Sequence, residues 1–256
     1  MLVNPHHRMI DGLAVDPNVA SLPQAPDLAV IVTPAAAVPS LIGELAEHGT
    51  CAVVIITAGF GELGQRGQTL QQAALDGAKP HLLRIVGPNC VGIMVPWLGL
   101  DATFSHLAAP AGDIAFLSQS GAMITAMLDW AAPRDIGFSH VVSLGDMADV
   151  DFGDMLDYLA ADPHTRAILL YVEGNTHGRK FMSAARAASR IKPVLVLKAG
   201  PLERRCARCH LAYRRPCWSR CRLRRRVPPG RDAAGWNDGR AIRRSGDPGV
   251  DPQAGR

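Results

Sequence analysis

The sequence has few aromatic residues, no long apolar run and no lysine after Lys198. Aromatic residues make up 5% of the 256 residues and hydrophobic residues 48%, so any core must be mainly aliphatic. No apolar run approaches the roughly 20 residues that a membrane-spanning helix needs. The N-terminal stretch MLVNPHHRMIDG lacks the apolar core of a secretory signal. These absences predict a soluble cytoplasmic protein that does not enter a membrane.

Residues 201–256 differ in composition from the rest of the chain. They hold 15 Arg and no Lys against 5 acidic residues, whereas residues 1–200 are acidic overall. Neither a helical nor a strand period of apolar residues runs through this segment. We therefore predict that 201–256 is an arginine-rich, disordered tail. Of the two cysteines before it, Cys51 and Cys90, each adjoins an apolar run and is expected to be a small core residue.

Before the tail, short apolar runs alternate with stretches of helical periodicity. Continuous apolar strands separated by helices are typical of an α/β fold, in which a parallel sheet is covered on both faces. The first set of predicted elements consists of Leu28–Val32, Val38–His48, Ala52–Thr57, Gln68–Ala78 and a third strand that runs into Gly87. We predict a first domain over residues 1–95, which opens with a proline-rich polar lead-in of 27 residues.

The three strands of this domain end in polar or glycine-rich turns. The turns are Thr33-Pro34, Thr57-Ala58-Gly59 and Gly87-Pro88-Asn89. Ligands of open parallel sheets bind beyond the carboxyl ends of the strands. We therefore predict that all three turns face one ligand-binding crevice.

A second alternation of strands and helices follows residues 96–112, a segment with little periodicity that we interpret as a linker. Its predicted strands are Ile114–Leu117, Phe138–Leu144, Ala167–Tyr171 and Val194–Leu197, and its predicted helices are Gly121–Ala132, Phe152–Leu159 and Arg179–Ile191. These elements predict a second parallel-sheet domain over residues 113–200.

The stretch IAFLSQSGA, residues 114–122, passes from a buried strand through a tight turn into a helix. Free N–H groups at a helix start, together with the helix dipole, favour phosphate or carboxylate. Gly121 would let an anion approach the backbone closely. The alternative is an ordinary helix cap that binds nothing.

Acidic residues cluster just after the second strand of this domain, at Asp146, Asp149, Asp151, Asp154, Asp157 and Asp162. One interpretation is a metal site, although the spacing does not follow the calcium-loop pattern. The other, which we prefer, is a set of helix caps on a solvated face, with Asp151 at a helix start. We therefore predict no metal ligand here.

Three segments resemble a known family: GPN (87–89), SQSGA (118–122) and SLGDMADVDFGDMLDYLAADPHTRAILLYVEG (143–174). They are similar to the α-type half of the NDP-forming acyl-CoA synthetases, relatives of succinyl-CoA synthetase. The sequence looks most like the version that bacterial protein lysine acetyltransferases carry fused to an acetyltransferase domain. The resemblance covers about residues 1–200 and implies a Rossmann-like CoA-binding domain followed by a flavodoxin-like, succinyl-CoA synthetase-like domain.

The resemblance also implies roles for individual residues. CoA, the implied cofactor, would lie across Thr33, Pro34, Thr57, Ala58, Gly59, Gly87, Pro88 and Asn89. The turn formed by Ser118, Ser120, Gly121 and Ala122 matches the helix start that holds the phosphate of a phosphohistidine. Glu173 matches the carboxylate that orients that histidine, as a nucleophilic histidine requires. ATP or ADP would bind only to an ATP-grasp domain or subunit, the partner that the family implies.

The chain departs from the family pattern at three places. The family's first βαβ unit, its Ser-His-Thr-Gly segment with the phosphorylated histidine, and its ATP-grasp part are not recognised in this sequence. We therefore expect a fragment without activity of its own. One candidate function is the CoA- or acyl-CoA-binding region of a synthetase that joins an acid to CoA at the expense of a nucleoside triphosphate. The alternative is a regulatory module of a lysine acetyltransferase that senses CoA or acyl-CoA.

The tail leaves two further interpretations open. Cys206, Cys209, Cys217 and Cys221 could bind zinc, and the arginines could then contact nucleic acid. The other interpretation is a shift of reading frame near Gly200, since lysine and apolar periodicity both end there. We favour the frame shift, because the two cysteine pairs lie closer together than those of usual zinc sites, and we do not expect nucleic-acid binding.

Overall fold

The computed structural model describes residues 1–174 and 177–199 of the chain. The tail over 201–256, with its predicted disorder, cysteine pairs and frame shift, lies outside the described residues. The strands are β1 (Leu2–Val3), β2 (Met9–Ile10), β3 (Leu13–Asp16), β4 (Leu28–Ile31), β5 (Ala52–Ile55), β6 (Arg84–Val86), β7 (Gly92–Val95), β8 (Leu100–Thr103), β9 (Ala111–Ser118), β10 (Phe138–Ser143), β11 (Ala167–Val172) and β12 (Val194–Lys198). The helices are α1 (Val38–His48), α2 (Gln65–Ala78), α3 (Gly121–Ala131), α4 (Phe152–Ala161) and α5 (Gly178–Ile191).

A parallel sheet of three strands, in the order β4-β5-β6, forms the centre of the first half. Helix α1 has the predicted bounds, because Pro39 fits its first turn and Gly49 ends it with a φ of 99°. The apolar faces of α1 and α2 pack with the strands in one aliphatic core that includes the fully buried Ile42 and Val53. The predicted strand–helix alternation is therefore confirmed in this half.

The polar lead-in contains structure that the sequence did not predict. Strands β1, β3 and β2 form a small sheet in which β1 is parallel and β2 antiparallel to β3. The strands are short, and Met9 and Leu13 are exposed. Because these strands bury little apolar surface, they carry no alternating pattern for sequence reasoning to detect.

The second half is built on a six-stranded sheet in the order β12-β11-β9-β10-β7-β8. Strands β9 to β12 are mutually parallel, as predicted, and the side chains of β9, β10 and β11 alternate between two cores. Phe116 faces the core under α3, whereas its neighbour Leu117 faces the core under α4 and α5. This placement explains why β9 is a continuous apolar run rather than an alternating one. The predicted α/β class is confirmed.

The segment 96–112 is not the irregular linker that we predicted. It contains β8, which pairs antiparallel with β7, and β7 in turn pairs antiparallel with β10 of the second sheet. The two strands lie so close that a Cβ on Gly92 would stand 2.0 Å from Ala102 O. Strands of four residues are too short to show a clear period, which is why the hairpin was missed. The domain boundaries themselves stay a prediction.

The acidic cluster caps and braces helix α4. The Asp151 side chain accepts hydrogen bonds from Gly153 N and Asp154 N, while Asp154 accepts from Asp151 N, which completes a capping box. The predicted capping role of Asp151 is confirmed. Within the described ranges, no group of three or more His, Cys, Asp or Glu residues is placed to hold a metal ion.

The two cysteines that the structure describes differ in burial. Cys90 is buried, as predicted, but Cys51 is exposed at the start of β5, so its assignment to the core was wrong. The next residue, Ala52, is half-buried, and the buried part of the apolar run begins at Val53. None of the described helices has the length and apolar character needed to cross a membrane.

Candidate ligand-binding cleft

The three turns at the carboxyl ends of β4, β5 and β6 are adjacent. Thr57 Oγ1 donates a hydrogen bond of 2.6 Å to Thr33 O, which joins the first two turns. Asn89 N donates to Thr57 O at 3.0 Å, which joins the second to the third. The three turns are therefore adjacent, whereas a shared ligand-binding crevice and the role of each residue toward a ligand stay predictions.

The third turn is held against β5 by its backbone shape. The Gly87–Pro88 peptide is cis, and Gly87 has a φ of 97°. A Cβ on Gly87 would lie 2.6 Å from Ile55 O, so only glycine fits here. Next to it, Cys90 donates its thiol to Ile55 O at 3.2 Å, and burial raises the pKa of this thiol to about 12. Cys90 is therefore a packed thiol and not a nucleophile.

In the second turn, a carboxylate of the protein itself binds the backbone N–H groups. The carboxylate of Glu62 accepts hydrogen bonds from Gly59 N and, at 3.1 Å, from Phe60 N. Gly59 is one of the residues predicted to contact CoA. Its N–H group is already paired in this structure, so an incoming phosphate would have to replace the Glu62 carboxylate.

The turn before α3 is braced by Ser118. This fully buried side chain donates to Ser120 O at 2.8 Å and accepts from Ser120 N at 3.1 Å. Ser118 therefore stabilises the turn through the Ser120 backbone, and its own side chain is not accessible to a ligand. Gly121 has a steric reason to be glycine, since a Cβ there would lie 2.5 Å from Val91 Cγ2.

The start of α3 presents open hydrogen-bond donors. Ser120 is the N-cap, and its side chain makes no capping hydrogen bond. Within the described part of the chain, no acceptor is recorded for the N–H groups of Gly121 and Ala122. The first N–H groups of a helix have no partner inside that helix. The turn can therefore offer two backbone donors to an anion.

Glu173 follows β11 and is tied to this turn through Gln119. The side-chain oxygen of Gln119 accepts from Glu173 N at 2.6 Å and from Gly174 N at 2.9 Å. Lys198 Nζ donates to Glu173 O at 2.6 Å, so the Glu173 backbone is held on two sides. The Glu173 side chain is left exposed at the mouth of the cleft.

A cleft of about 1120 Å³ joins the two groups of predicted site residues. From the predicted set, its walls include Ala58, Asn89, Ser120, Gly121, Ala122 and Glu173. The other predicted residues, Thr33, Pro34, Thr57, Gly59, Gly87, Pro88 and Ser118, do not line it. The Thr33-Pro34 turn therefore contributes no wall residue, contrary to the expectation that all three turns face one crevice.

Sequence reasoning missed several wall residues of this cleft, namely Ile56, Cys90, Val91, Phe104, Gln119, Thr125, Gly145, Asp146 and Tyr171. Gln119 lies in the SQSGA motif and Asp146 in the segment 143–174. Their place in these motifs was the signal that could have marked them as site residues. Burial and the nearby charge of Glu173 raise the pKa of Tyr171, which keeps its phenol protonated as a donor. Among residues 1–174 and 177–199, none of those that line the cleft is Lys, Arg or His.

The loop after β10 closes the cleft against the third turn. Asp146 N donates to Pro88 O at 3.0 Å, and Ala148 N donates to Gly87 O at 3.0 Å. Gly145, with a φ of 54°, lies so close that its Cβ would stand 2.1 Å from Pro88 O. The cleft is therefore formed where the loops of the two halves bind each other.

Two protein-family models match this chain. The one described as a CoA binding domain matches residues 1–96. The one described as a succinyl-CoA ligase like flavodoxin domain matches residues 111–213. The first match contains strands β4, β5 and β6, and the second contains the parallel strands β9 to β12. The walls of the cleft come from both matched regions.

Similar proteins are ADP-forming acetate–CoA ligases. The chain is 46% identical over 198 residues to acetate–CoA ligase I of Archaeoglobus fulgidus, covering 77% of this chain and 29% of that protein. It is 42% identical over 201 residues to the α subunit of acetate–CoA ligase II of Pyrococcus furiosus, covering 78% of this chain and 44% of that subunit.

A solved structure agrees with these sequence matches. The protein PH0766 of Pyrococcus horikoshii is 42% identical with a TM-score of 0.75, covering 77% of this chain and 45% of that one. The chain thus spans less than half the length of these relatives. Its described part has a CoA-binding domain followed by a succinyl-CoA ligase-like flavodoxin domain, and it is similar to the α-subunit region of the ADP-forming acetate–CoA ligases.

Proposed function

We propose that the cleft binds CoA or acyl-CoA and serves the α-type part of an ADP-forming acyl-CoA ligase. The observation that carries this proposal is the meeting, in one cleft, of strand ends from the CoA-binding domain with the open helix start of the ligase-like domain. The similar proteins of Archaeoglobus fulgidus and Pyrococcus furiosus are acetate–CoA ligases, so a short carboxylic acid is the substrate class that they suggest.

The walls fit the chemistry of CoA at its reactive arm. Ile56, Val91 and Phe104 supply apolar surface, while Asn89 supplies an exposed amide at the third turn. Pantetheine alternates apolar methylene groups with amides, so both kinds of wall are needed. Ala58 and Asn89 are the predicted CoA residues that reach the cleft directly, and the remaining ones would act by holding their turns in place.

The helix start would hold a phosphoryl group in the same cleft. No cationic side chain is found among the wall residues that the structure describes, so the N–H groups of Gly121 and Ala122 would provide the binding. Glu173 would orient a histidine supplied by another part of the complete ligase. An ATP-grasp domain or subunit would bring the nucleotide. The whole reaction would convert acid, CoA and nucleoside triphosphate into acyl-CoA, nucleoside diphosphate and phosphate in the cytoplasm.

A second candidate is a CoA-sensing regulatory module attached to a lysine acetyltransferase. The observation that favours it is the lack of histidine among the described wall residues of the cleft. Those residues could bind CoA, but they offer no imidazole to carry a phosphoryl group. Formation of acyl-CoA by the purified chain would exclude this candidate, whereas acyl-CoA binding without turnover would support it.

The test of the proposal is calorimetric titration of the full chain with CoA. The replacement Asn89→Ala removes the cleft amide, and we expect it to weaken CoA binding about tenfold, which is the effect of one or two hydrogen bonds. Gln72→Ala, on α2 and outside the cleft walls, is the matched control and is expected to leave the affinity unchanged. Absence of heat with the unmodified chain at millimolar CoA would overturn the proposal.

A further inference from the structure

Asp146 and Asn89 meet at the junction of the two domains. Asn89 Nδ2 donates a hydrogen bond of 3.3 Å to Asp146 Oδ1 across the cleft wall. Both backbones are fixed, because Asn89 N donates to Thr57 O and Asp146 N donates to Pro88 O. The backbones of the pair are therefore held in two turns, and only the side chains can rotate.

The carboxylate decides which way the amide points. An ionised carboxylate only accepts hydrogen bonds, so it must face the Nδ2 group of Asn89. The other end of the amide, Oδ1, is then the group available to the cleft. None of the described residues donates a recorded hydrogen bond to Asn89 Oδ1, although Asn89 is exposed on the cleft wall.

Few groups around Asp146 stabilise its charge, so the contact with Asn89 matters for its ionised form. Its Oδ2 atom is buried without a hydrogen-bond partner in the described chain, and no cation pairs with the side chain there. The charged groups that face it are acidic, namely Glu62, and the Cys90 thiol is nearby and protonated. Burial raises the pKa of Asp146, while the Asn89 hydrogen bond and the Gly61 backbone lower it.

We propose that Asp146 is a positioning residue, which holds the Asn89 amide with Oδ1 toward the cleft so that it accepts an N–H group of the pantetheine arm. This inference depends on the proposed function for the identity of the ligand. Protonated Asp146 can donate to Oδ1 and release the amide from its orientation. CoA binding is therefore expected to weaken as the pH falls through the raised pKa of Asp146.

The first experiment needs no ligand. The side-chain amide resonances of Asn89 are followed by NMR in the unmodified chain as the pH is lowered. We expect them to titrate with a midpoint above 3.8, the ordinary value for aspartate. In Asp146→Asn this transition should vanish, whereas it should persist in Asp157→Asn, a matched loss of charge at an exposed site on α4. An unchanging Asn89 resonance in the unmodified chain would overturn the inference.

The second experiment measures CoA and adenosine 3′,5′-bisphosphate, which lacks the pantetheine arm, by calorimetry at a series of pH values. Asp146→Asn is expected to bind CoA about tenfold more weakly and to lose the acid decline, with no change for the bisphosphate. Equal CoA affinities and pH profiles in Asp146→Asn and Asp157→Asn would reject the positioning role. If the unmodified chain binds no CoA, the proposed function fails, and the NMR titration alone then decides whether Asp146 orients Asn89.

Discussion

Arg84 and Asp149 connect the two parallel sheets through a pair of side chains. Arg84 Nε donates to Asp149 Oδ2 at 2.8 Å, from the start of β6 to the loop before α4. The hydrogen bond with Asp149 raises the pKa of Arg84 above its already high value. The same carboxylate oxygen accepts from Ile85 N at 2.9 Å. Asp149 therefore joins the edge of one domain to the other by a side-chain and a backbone contact.

We predict that Asp149→Ala destabilises the chain more than Arg84→Ala. Loss of Asp149 leaves the Ile85 N–H group without its acceptor, which costs about 1–3 kcal/mol. Loss of Arg84 removes a partly exposed ion pair, whose contribution is about 0–1 kcal/mol after solvent screening. The free energy of unfolding from urea titration measures both. A larger loss in Arg84→Ala would contradict the assignment of the backbone contact as the stronger one.

Stability is predicted to fall as the pH drops below about 6.5, because of His140. This side chain is 3% exposed on β10, and burial lowers its pKa. Asp162 faces it and opposes that shift, whereas His164 and Lys192 add to it. A histidine with a lowered folded pKa disfavours protonation in the folded state, so its stability is present above the unfolded pKa and lost below it.

The measurement compares the unmodified chain with His140→Gln by urea titration between pH 7.5 and 5.5. The difference in unfolding free energy between the two proteins should shrink or reverse toward the acid end, because glutamine does not titrate. The pKa of Asp162 is lowered, so its own loss occurs at more acidic pH and does not overlap this window. Parallel pH profiles for the two proteins would show that His140 makes no such contribution.

Gly145 and Gly43 are predicted to respond oppositely to replacement by alanine. A Cβ on Gly145 would lie 2.1 Å from Pro88 O, and its φ of 54° is unfavourable for alanine, so Gly145→Ala should cost about 2–4 kcal/mol and disturb the cleft. Gly43 lies within α1 with nothing within 4 Å of its added Cβ. Gly43→Ala should therefore stabilise by about 0.5–1 kcal/mol.

Thermal unfolding of both glycine variants provides the check, with CoA affinity measured in parallel. A Gly145→Ala protein as stable as the unmodified chain would mean that the loop after β10 does not bind the third turn as closely as described. A destabilised Gly43→Ala protein would indicate an unrecognised neighbour of α1.

Much of the architecture follows from local patterns in the chain. The bounds of α1 follow from an apolar helical period between Pro39 and Gly49, and the parallel strands follow from apolar runs buried on both faces. The capping role of Asp151 follows from its place before an apolar helix. These features depend on neighbours within a few residues, which a sequence displays directly.

The hairpin and the cleft were decided by contacts between distant residues. Strand β7 is defined by its pairing with β10, and β8 by its pairing with β7, because four residues are too few to carry a period. Asp146 meets Asn89 across 57 positions of the chain, and Gly59 N is satisfied by a carboxylate that no motif indicated. The sequence by itself therefore determined the α/β order and the positions of the turns that follow the strands. Only the tertiary structure decided which of those residues form the walls, since the walls arise where loops of two sheets pack together.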